Sequence, residues 1–262
     1  MLTTSSISEL TGQDAAEAPA LLVRVAAILG AFDGEHRELT LSALVVRCGL
    51  PRSTTHRTAD RMIRLGWLDK PRECYRIGNR LFEIGSLAPI RHELCQAVLP
   101  CLQDLHAATK TAVQLGVLNG GRVLVVEKVT GRRPVPMLTQ VGGILPAYCT
   151  ALGRVLLAYS DAATVDAVLA AGMPRRTPHT LTTRTAVLRE LAAVPARGWA
   201  GVREESKAGV SCVAAPILGR FGEPVAALGV TGPSAVVRED VMGPTVRMAA
   251  AAASRAYAAA RR

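Results

Sequence analysis

The chain has 262 residues, 49% of them hydrophobic, and a formal net charge of +10; that suits one large core or two domains and argues against a disordered polymer. No apolar run reaches the ~18 residues of a membrane helix, and the opening residues lack the basic start and apolar stretch of a signal peptide, so no membrane partner and a cytoplasmic location are expected. With only Phe 3, Trp 2 and Tyr 4, a protein that stacks single-stranded bases on aromatic rings is disfavoured too.

Residues 1–19 read as a disordered polar leader. Leu21, Leu22, Val25, Ile28, Leu29 and Phe32 then recur at helical spacing up to Asp33-Gly34. Thr40 is a natural cap for a second helix with Leu41, Leu44, Val45 and Cys48 on its inner face. Gly49-Leu50-Pro51 makes a tight turn, and a third helix starts near Pro51, whose missing N–H costs nothing there. Its inner stripe is Thr55, Ala59, Met62 and Ile63; its outer face shows Arg52, Ser53, His56, Arg57, Asp60, Arg61 and Arg64. After Gly66, Trp67-Leu68-Asp69 and Cys74-Tyr75-Arg76-Ile77 flank the turn Lys70-Pro71-Arg72-Glu73, a short hairpin with a basic tip. Helix, helix, tight turn, helix and basic hairpin predict a winged helix-turn-helix over residues 20–80.

Charge is concentrated in this region. Residues 1–46 carry two basic and six acidic side chains, net −4, whereas residues 47–80 carry nine basic and three acidic, net +6. Such a local basic block is the electrostatic footprint of a double-stranded DNA partner. An α-helix fits the major groove with its first residues at the base edges. The candidate DNA contacts are Arg52, Ser53, Thr54, His56, Arg57 and Arg61 on the helix, with Lys70, Arg72 and Arg76 of the wing on flanking phosphates. The competing reading is a solvated helix face on a module that binds protein.

Residues 81–110 read as a linker helix and the start of a second domain, with Leu81, Ile84, Leu87, Leu94, Val98, Leu102 and Leu105 at helical spacing and interruptions at Pro89 and Pro100. Linkers of this kind often supply dimer contacts. Residues 111–262 switch to strand periods. Ala112–Leu118 and Arg122–Lys128 flank the turn Asn119-Gly120-Gly121, and Val135–Gln140 is a further strand. Thr150 opens a helix to Tyr159, Ser160 another to Ala171, and Thr182–Arg197 a third. Trp199–Val202, Val210–Leu218 and Val225–Thr231 are strands, and a helix closes the chain from about Arg238 to Ala259. The class is therefore α+β: a winged helix-turn-helix followed by an α/β sandwich built on a mostly antiparallel sheet.

No catalytic constellation stands out. Glu204-Glu205 reads as a solvated pair on an exposed turn, with acid/base work as the alternative. Cys212 reads as a structural cysteine, with a nucleophile as the alternative; His179 is distant in sequence. The cysteines at 48, 74, 95, 101, 149 and 212 form no Cys-x-x-Cys pair and no zinc-type cluster. No metal or cofactor is expected, and the thiols are expected to be reduced, with a Cys95/Cys101 redox pair the alternative.

Four stretches, in order, resemble the IclR-type transcriptional regulators: GLPRSTTHRTADRMIRLGWL with YRIGNRLFEIG, LPAYCTALGRVLLAY, RGWAGVREESKAGVSCVAAPI, and VAALGVTGP. The resemblance runs from about residue 20 to the end. It implies a cytoplasmic bacterial regulator that binds operator DNA as a homodimer or a dimer of dimers, with a GAF/profilin-like C-terminal domain that binds a small-molecule effector. Many relatives repress and others activate; a repressor is the expectation. The resemblance also implies effector contacts at Met137, Ala151, Leu152, Cys212, Gly229 and Thr231, with the alternative that some are ordinary core. N–H groups at Thr150–Gly153 would suit an anion. Two departures stand out: Gly201-Val202-Arg203 replaces a more acidic run, and Gly229 replaces a hydroxyl. Both point to a larger or more apolar effector, aromatic or lactone-like, rather than a small keto acid. Relatives also often carry bulkier apolar residues where Thr55, Thr58 and Ala59 stand. Two other functions compete: a cysteine-dependent enzyme using Cys212, and a sensor whose winged helix binds protein.

Overall fold

The structure, a computed structural model, describes residues 20–131 and 139–261. The expected leader, Met137 and most of the expected strand Val135–Gln140 lie outside the described residues. The chain divides into two compact units between Ala88 and Pro89.

The first unit runs α1 (Ala20–Leu29), β1 (Leu39–Thr40), α2 (Leu41–Cys48), α3 (Arg52–Arg64), β2 (Leu68–Asp69), β3 (Cys74–Ile77) and α4 (Asn79–Ser86). Thr40 caps α2 by accepting from the Ala43 N–H at 3.3 Å. Gly49 ends α2 at φ 69°, a left-handed backbone that glycine adopts without a Cβ clash; that turn redirects the chain into α3. The strands form an antiparallel wing in the order β1-β3-β2. Strand β1 corrects the sequence reading, which assigned Thr40 only a capping role. Leu39 and Thr40 pair with Tyr75 and Cys74, a long-range contact that two residues cannot announce.

The core of this unit is Ile28, Leu44, Ala59, Met62, Leu68 and Tyr75, all buried. The small residues of α3 join it: Thr55, Thr58 and Ala59 are buried, and the Thr55 hydroxyl donates to the Leu50 and Pro51 carbonyls. A hydroxyl with a backbone acceptor can be buried at little cost. Small side chains in this stripe bring α3 close to α1 and α2.

The second unit opens with a π-helical turn, Arg91–Cys95, leading into α5 (Gln96–Thr109). It continues through β4 (Ala112–Asn119), β5 (Arg122–Val129), β6 (Ile144–Pro146), α6 (Ala151–Ala158), α7 (Ala162–Ala170), α8 (Arg184–Arg197), β7 (Ala200–Arg203), β8 (Val210–Leu218), β9 (Pro224–Pro233) and α9 (Glu239–Ala260). All neighbours in the sheet are antiparallel, in the order β6-β5-β4-β9-β8-β7. Asn119 pairs with Arg122 across Gly120 and Gly121, both at positive φ; the hairpin falls where the sequence predicted, with a two-residue loop because Asn119 belongs to β4.

One sheet face packs Val113, Leu115, Val213, Ile217, Leu228 and Val230 against α5 and α9. The other packs Val123, Ala200, Val202, Ala214 and Ala227 against α6, α7 and α8. A winged helix-turn-helix followed by an antiparallel sheet with helices on both faces is an α+β architecture. Three details differ from the sequence reading. Pro100 lies inside α5 rather than interrupting it, just past the first turn, where its missing N–H removes a single i→i−4 bond. Asp161 rather than Ser160 caps α7, and Thr183 rather than Thr182 caps α8. Strand β6 is a further element that the sequence reading did not anticipate.

Candidate nucleic-acid interface and effector site

Helical spacing sorts α3 into two sides. Thr55, Thr58, Ala59 and Met62 face the core, so Arg52, Ser53, His56, Arg57 and Arg61 are exposed and Thr54 is partly so. The structure thus brings all six expected helix residues onto the solvent side of one element. Arg52 donates to the Ser42 hydroxyl at 3.1 Å, which holds its guanidinium near the start of α2. His56 Nδ1 lies 3.1 Å from Asp60 Oδ2 one turn on. Arg57 and Arg61 make no ion pair among the described residues. Pro51 caps α3 without a side-chain hydrogen bond, which leaves the first-turn N–H groups for an anion.

The wing is more self-neutralised than its composition suggested. Lys70 Nζ sits 5.3 Å from the centroid of the Tyr75 ring and 3.8 Å from Glu73. Arg76 lies 3.5 Å from Asp69. Among the described residues Arg72 has no such partner; it occupies the tip at φ 60°. Of the three wing residues it is the one with its charge uncommitted.

In the second unit, strand register gathers three of the expected effector residues. Cys212 pairs with Thr231, and Gly229 pairs with Ala214, so all three side-chain positions lie on the α6 side of the sheet. Ala151 and Leu152, at the start of α6, are buried against that face. Thr150 caps α6 by accepting from the Gly153 N–H. A Cβ on Gly153 would fall 2.3 Å from the Ala147 backbone, so glycine is what permits α6 to start this close. Met137 is outside the described residues.

The Cys212 thiol accepts from the Thr231 hydroxyl at 3.2 Å. Burial pushes its pKa up to about 11, so it is protonated at neutral pH and a poor nucleophile. A cavity of about 630 Å³ lined by Arg203, Ser211, Val237, Arg238 and Glu239 contains none of the expected effector residues. Ser211, one residue from Cys212, points to the opposite sheet face.

Glu204-Glu205 requires a correction. Glu205 is not solvated: it is 6% exposed, Arg154 on α6 is 2% exposed, and the two meet at 2.6 Å. The same Glu205 oxygen accepts from the Leu181 N–H at 3.1 Å, and Arg154 Nε donates to the Tyr148 carbonyl. Thr180 donates to the Glu205 carbonyl at 2.7 Å and Thr177 to that of Glu204 at 2.6 Å. Glu204 itself accepts from the Gly209 N–H, which holds its carboxyl below the usual range. The Glu205 carboxylate ties α6 to the 177–181 loop, and the Glu204 carboxylate closes the turn into β8.

Sequence reasoning missed two residues on the α6 side of the sheet, Gln114 and Lys128. Gln114 pairs with Gly229 on one side and Lys128 on the other, so all three share that face. Gln114 is buried and donates to the Thr139 hydroxyl, while Lys128 Nζ donates to the Thr139 carbonyl. Strand alternation from Ala112 would have placed Gln114 inward. Lys128 needed the register across the hairpin.

A winged helix-turn-helix with a basic outer helix face, followed by an α+β sandwich, defines a DNA-binding transcriptional regulator. The family models "IclR helix-turn-helix domain" and "Bacterial transcriptional regulator IclR C-terminal" match residues 21–72 and 88–257. The chain belongs to the IclR family of bacterial transcriptional regulators. It is 30% identical to the HTH-type transcriptional regulator KdgR of Escherichia coli, over 87% of each chain. It is 28% identical to the transcriptional repressor IclR of Escherichia coli, over 77% of this chain and 76% of that protein. Among solved structures, an IclR homolog from Microbacterium hydrocarbonoxydans complexed with 4-hydroxybenzoate superposes with a TM-score of 0.83 at 29% identity, covering 92% of this chain and 100% of the other. No helix among the described residues is long and apolar enough to cross a membrane.

Proposed function

We propose that the protein is a one-component repressor that binds a pseudo-palindromic operator and releases it when a small effector occupies the second domain. The observation that carries this reading is the outer face of α3: Arg52, Ser53, Thr54, His56, Arg57 and Arg61 lie together beside an uncapped helix start. Bases would be read by Arg57, His56 and the hydroxyls, and phosphates by Arg61, Lys70, Arg72 and Arg76. The repressor sense is supported by the relative named as a repressor.

The domain reading that goes with this is a DNA-binding segment over 20–80, a linker over 81–110 and an effector domain over 111–262. A homodimer or dimer of dimers is supported by α4. It has no buried residue, and it and its C-cap residue Leu87 expose apolar side chains, Phe82 by 73%, Ile84 by 48% and Leu87 by 74%, which a second copy could cover. Two recognition helices would then be spaced by about one helical turn of DNA, roughly 34 Å.

The effector is an aromatic acid, supported by the 4-hydroxybenzoate held by the similar structure and by the small, weakly polar residues Gly229, Ala214 and Val202 on the α6 side of the sheet. Contacts are proposed at Met137, Ala151, Leu152, Cys212, Gly229 and Thr231. The protein acts in the cytoplasm and is not an enzyme; the protonated Cys212 thiol disfavours nucleophilic catalysis.

Capture of sheared genomic DNA on the purified protein, followed by sequencing, tests the reading. A few enriched promoters sharing an inverted repeat are expected, with retention that falls steeply as salt rises. Uniform retention at low salt, or binding that survives high salt, would refute operator recognition.

A further inference from the structure

Cross-strand register lays out a row of side chains on the α6 side of the sheet: Lys128 on β5, Gln114 on β4, Gly229 on β9, Ala214 on β8 and Ala200 on β7. One end of the row carries a cation and an amide. The rest is glycine and alanine, and a Cβ at Gly229 would already stand 2.9 Å from the Ala214 Cβ. The row is therefore polar at one end and flat and apolar along the remainder.

Lys128 has no acidic partner among the described residues. Glu127, its neighbour, accepts from the Lys128 backbone N–H instead. Segment 132–138, outside the described residues, contains no Asp or Glu. Among the described residues the ammonium donates to one acceptor, the Thr139 carbonyl, so two of its three N–H donors have no described partner. Partial burial also holds its pKa below the usual lysine range. A half-buried ammonium with no ion-pair partner among the described residues is unfavourable, and an anion would relieve it.

We infer that Lys128, aided by Gln114, is the carboxylate-binding residue of the effector site. The effector is then an organic monoacid whose apolar body lies along Gly229 and Ala214, not a neutral lactone. This rests on the proposal that the second domain binds an effector on the α6 side of the sheet, and it adds the ligand's charge and the residue that reads it.

The test uses the full-length protein and matched acid and amide pairs: 4-hydroxybenzoate with 4-hydroxybenzamide, and hexanoate with hexanamide. Binding is read by isothermal titration and by thermal shift, on the wild type and on the Lys128→Gln and Lys128→Arg variants. At least one acid is expected to bind the wild type at least about 10-fold more tightly than its amide, the size of one charge-assisted contact. Lys128→Gln should lose that preference and Lys128→Arg should restore much of it. Cooperative thermal unfolding of ligand-free Lys128→Gln, followed by far-UV circular dichroism, serves as the folding control.

Equal binding of acid and amide, an acid bound as well by Lys128→Gln, or no binding by any acid would each overturn the inference. The aromatic reading fails separately, if hexanoate binds in a Lys128-dependent way while 4-hydroxybenzoate does not. Effector control itself survives if a neutral compound binds and releases DNA.

Discussion

Replacing Glu205 by Gln should destabilise the second unit far more than a surface substitution would. The amide keeps an oxygen for the Leu181 N–H, now 3.1 Å from the carboxylate, so the change isolates the charge. It strands the Arg154 guanidinium, which is 2% exposed and meets Glu205 at 2.6 Å. Breaking one side of a buried ion pair costs about 3–5 kcal/mol, because the remaining ion stays desolvated and unpaired. For a domain of this size each kcal/mol lowers Tm by about 2–4 °C, so a fall of about 6–20 °C is expected. Trp199 reports on this unit in a Trp67→Phe background, and urea and thermal unfolding can both be followed by its fluorescence. The double variant Arg154→Met, Glu205→Leu removes both charges. It should recover much of the loss, short of about 1–3 kcal/mol for the orphaned Leu181 N–H. A loss below about 1 kcal/mol in Glu205→Gln, or a double variant less stable than the single one, would refute the claim that this pair is desolvated and coupled.

Met62, 1% exposed at the centre of the first unit, should cost about 2–5 kcal/mol as Met62→Ala; loss of operator footprinting with an unchanged Trp199 unfolding transition would localise the damage. Burial raises Cys149 and Cys212 to about 11 and Tyr148 to about 12. Each prefers its neutral form when folded, so the thiols' contribution is full below their unfolded value of about 8.5 and is lost as pH climbs through about 11, and that of Tyr148 is lost between about 10 and about 12. Calorimetry should show Tm level near pH 7–8 and falling above pH 9, and iodoacetamide at pH 8 should label Cys212 far more slowly in the native than in the unfolded chain. Charge on α4 and its C-cap, as Phe82→Glu with Leu87→Glu, should shift sedimentation towards smaller species and weaken operator binding with no change in Tm; an unaltered sedimentation profile would remove α4 from the interface.

The sequence alone determined the order of the elements and the character of the DNA-binding face. Both follow from local rules. Thr40, Gly49 and Pro51 punctuate the first helices, the period of Thr55, Ala59 and Met62 turns the arginines outward, and Gly120-Gly121 closes a two-residue hairpin. Charge density over 47–80 adds the anionic partner, since a run of like charges is visible without any fold. What only the tertiary structure decided is which distant residues share a face. Glu205 reads as a surface carboxylate until Arg154, 51 positions earlier in the chain, is packed against it by α6. Lys128 reads as the polar end of a strand until the β5–β4–β9 register aligns it with Gln114 and Gly229. Wing cations that look free in sequence are partly spent on Asp69, Glu73 and the Tyr75 ring. Helical and strand periods report which side of one element is buried; they carry no information on what another element will place against it.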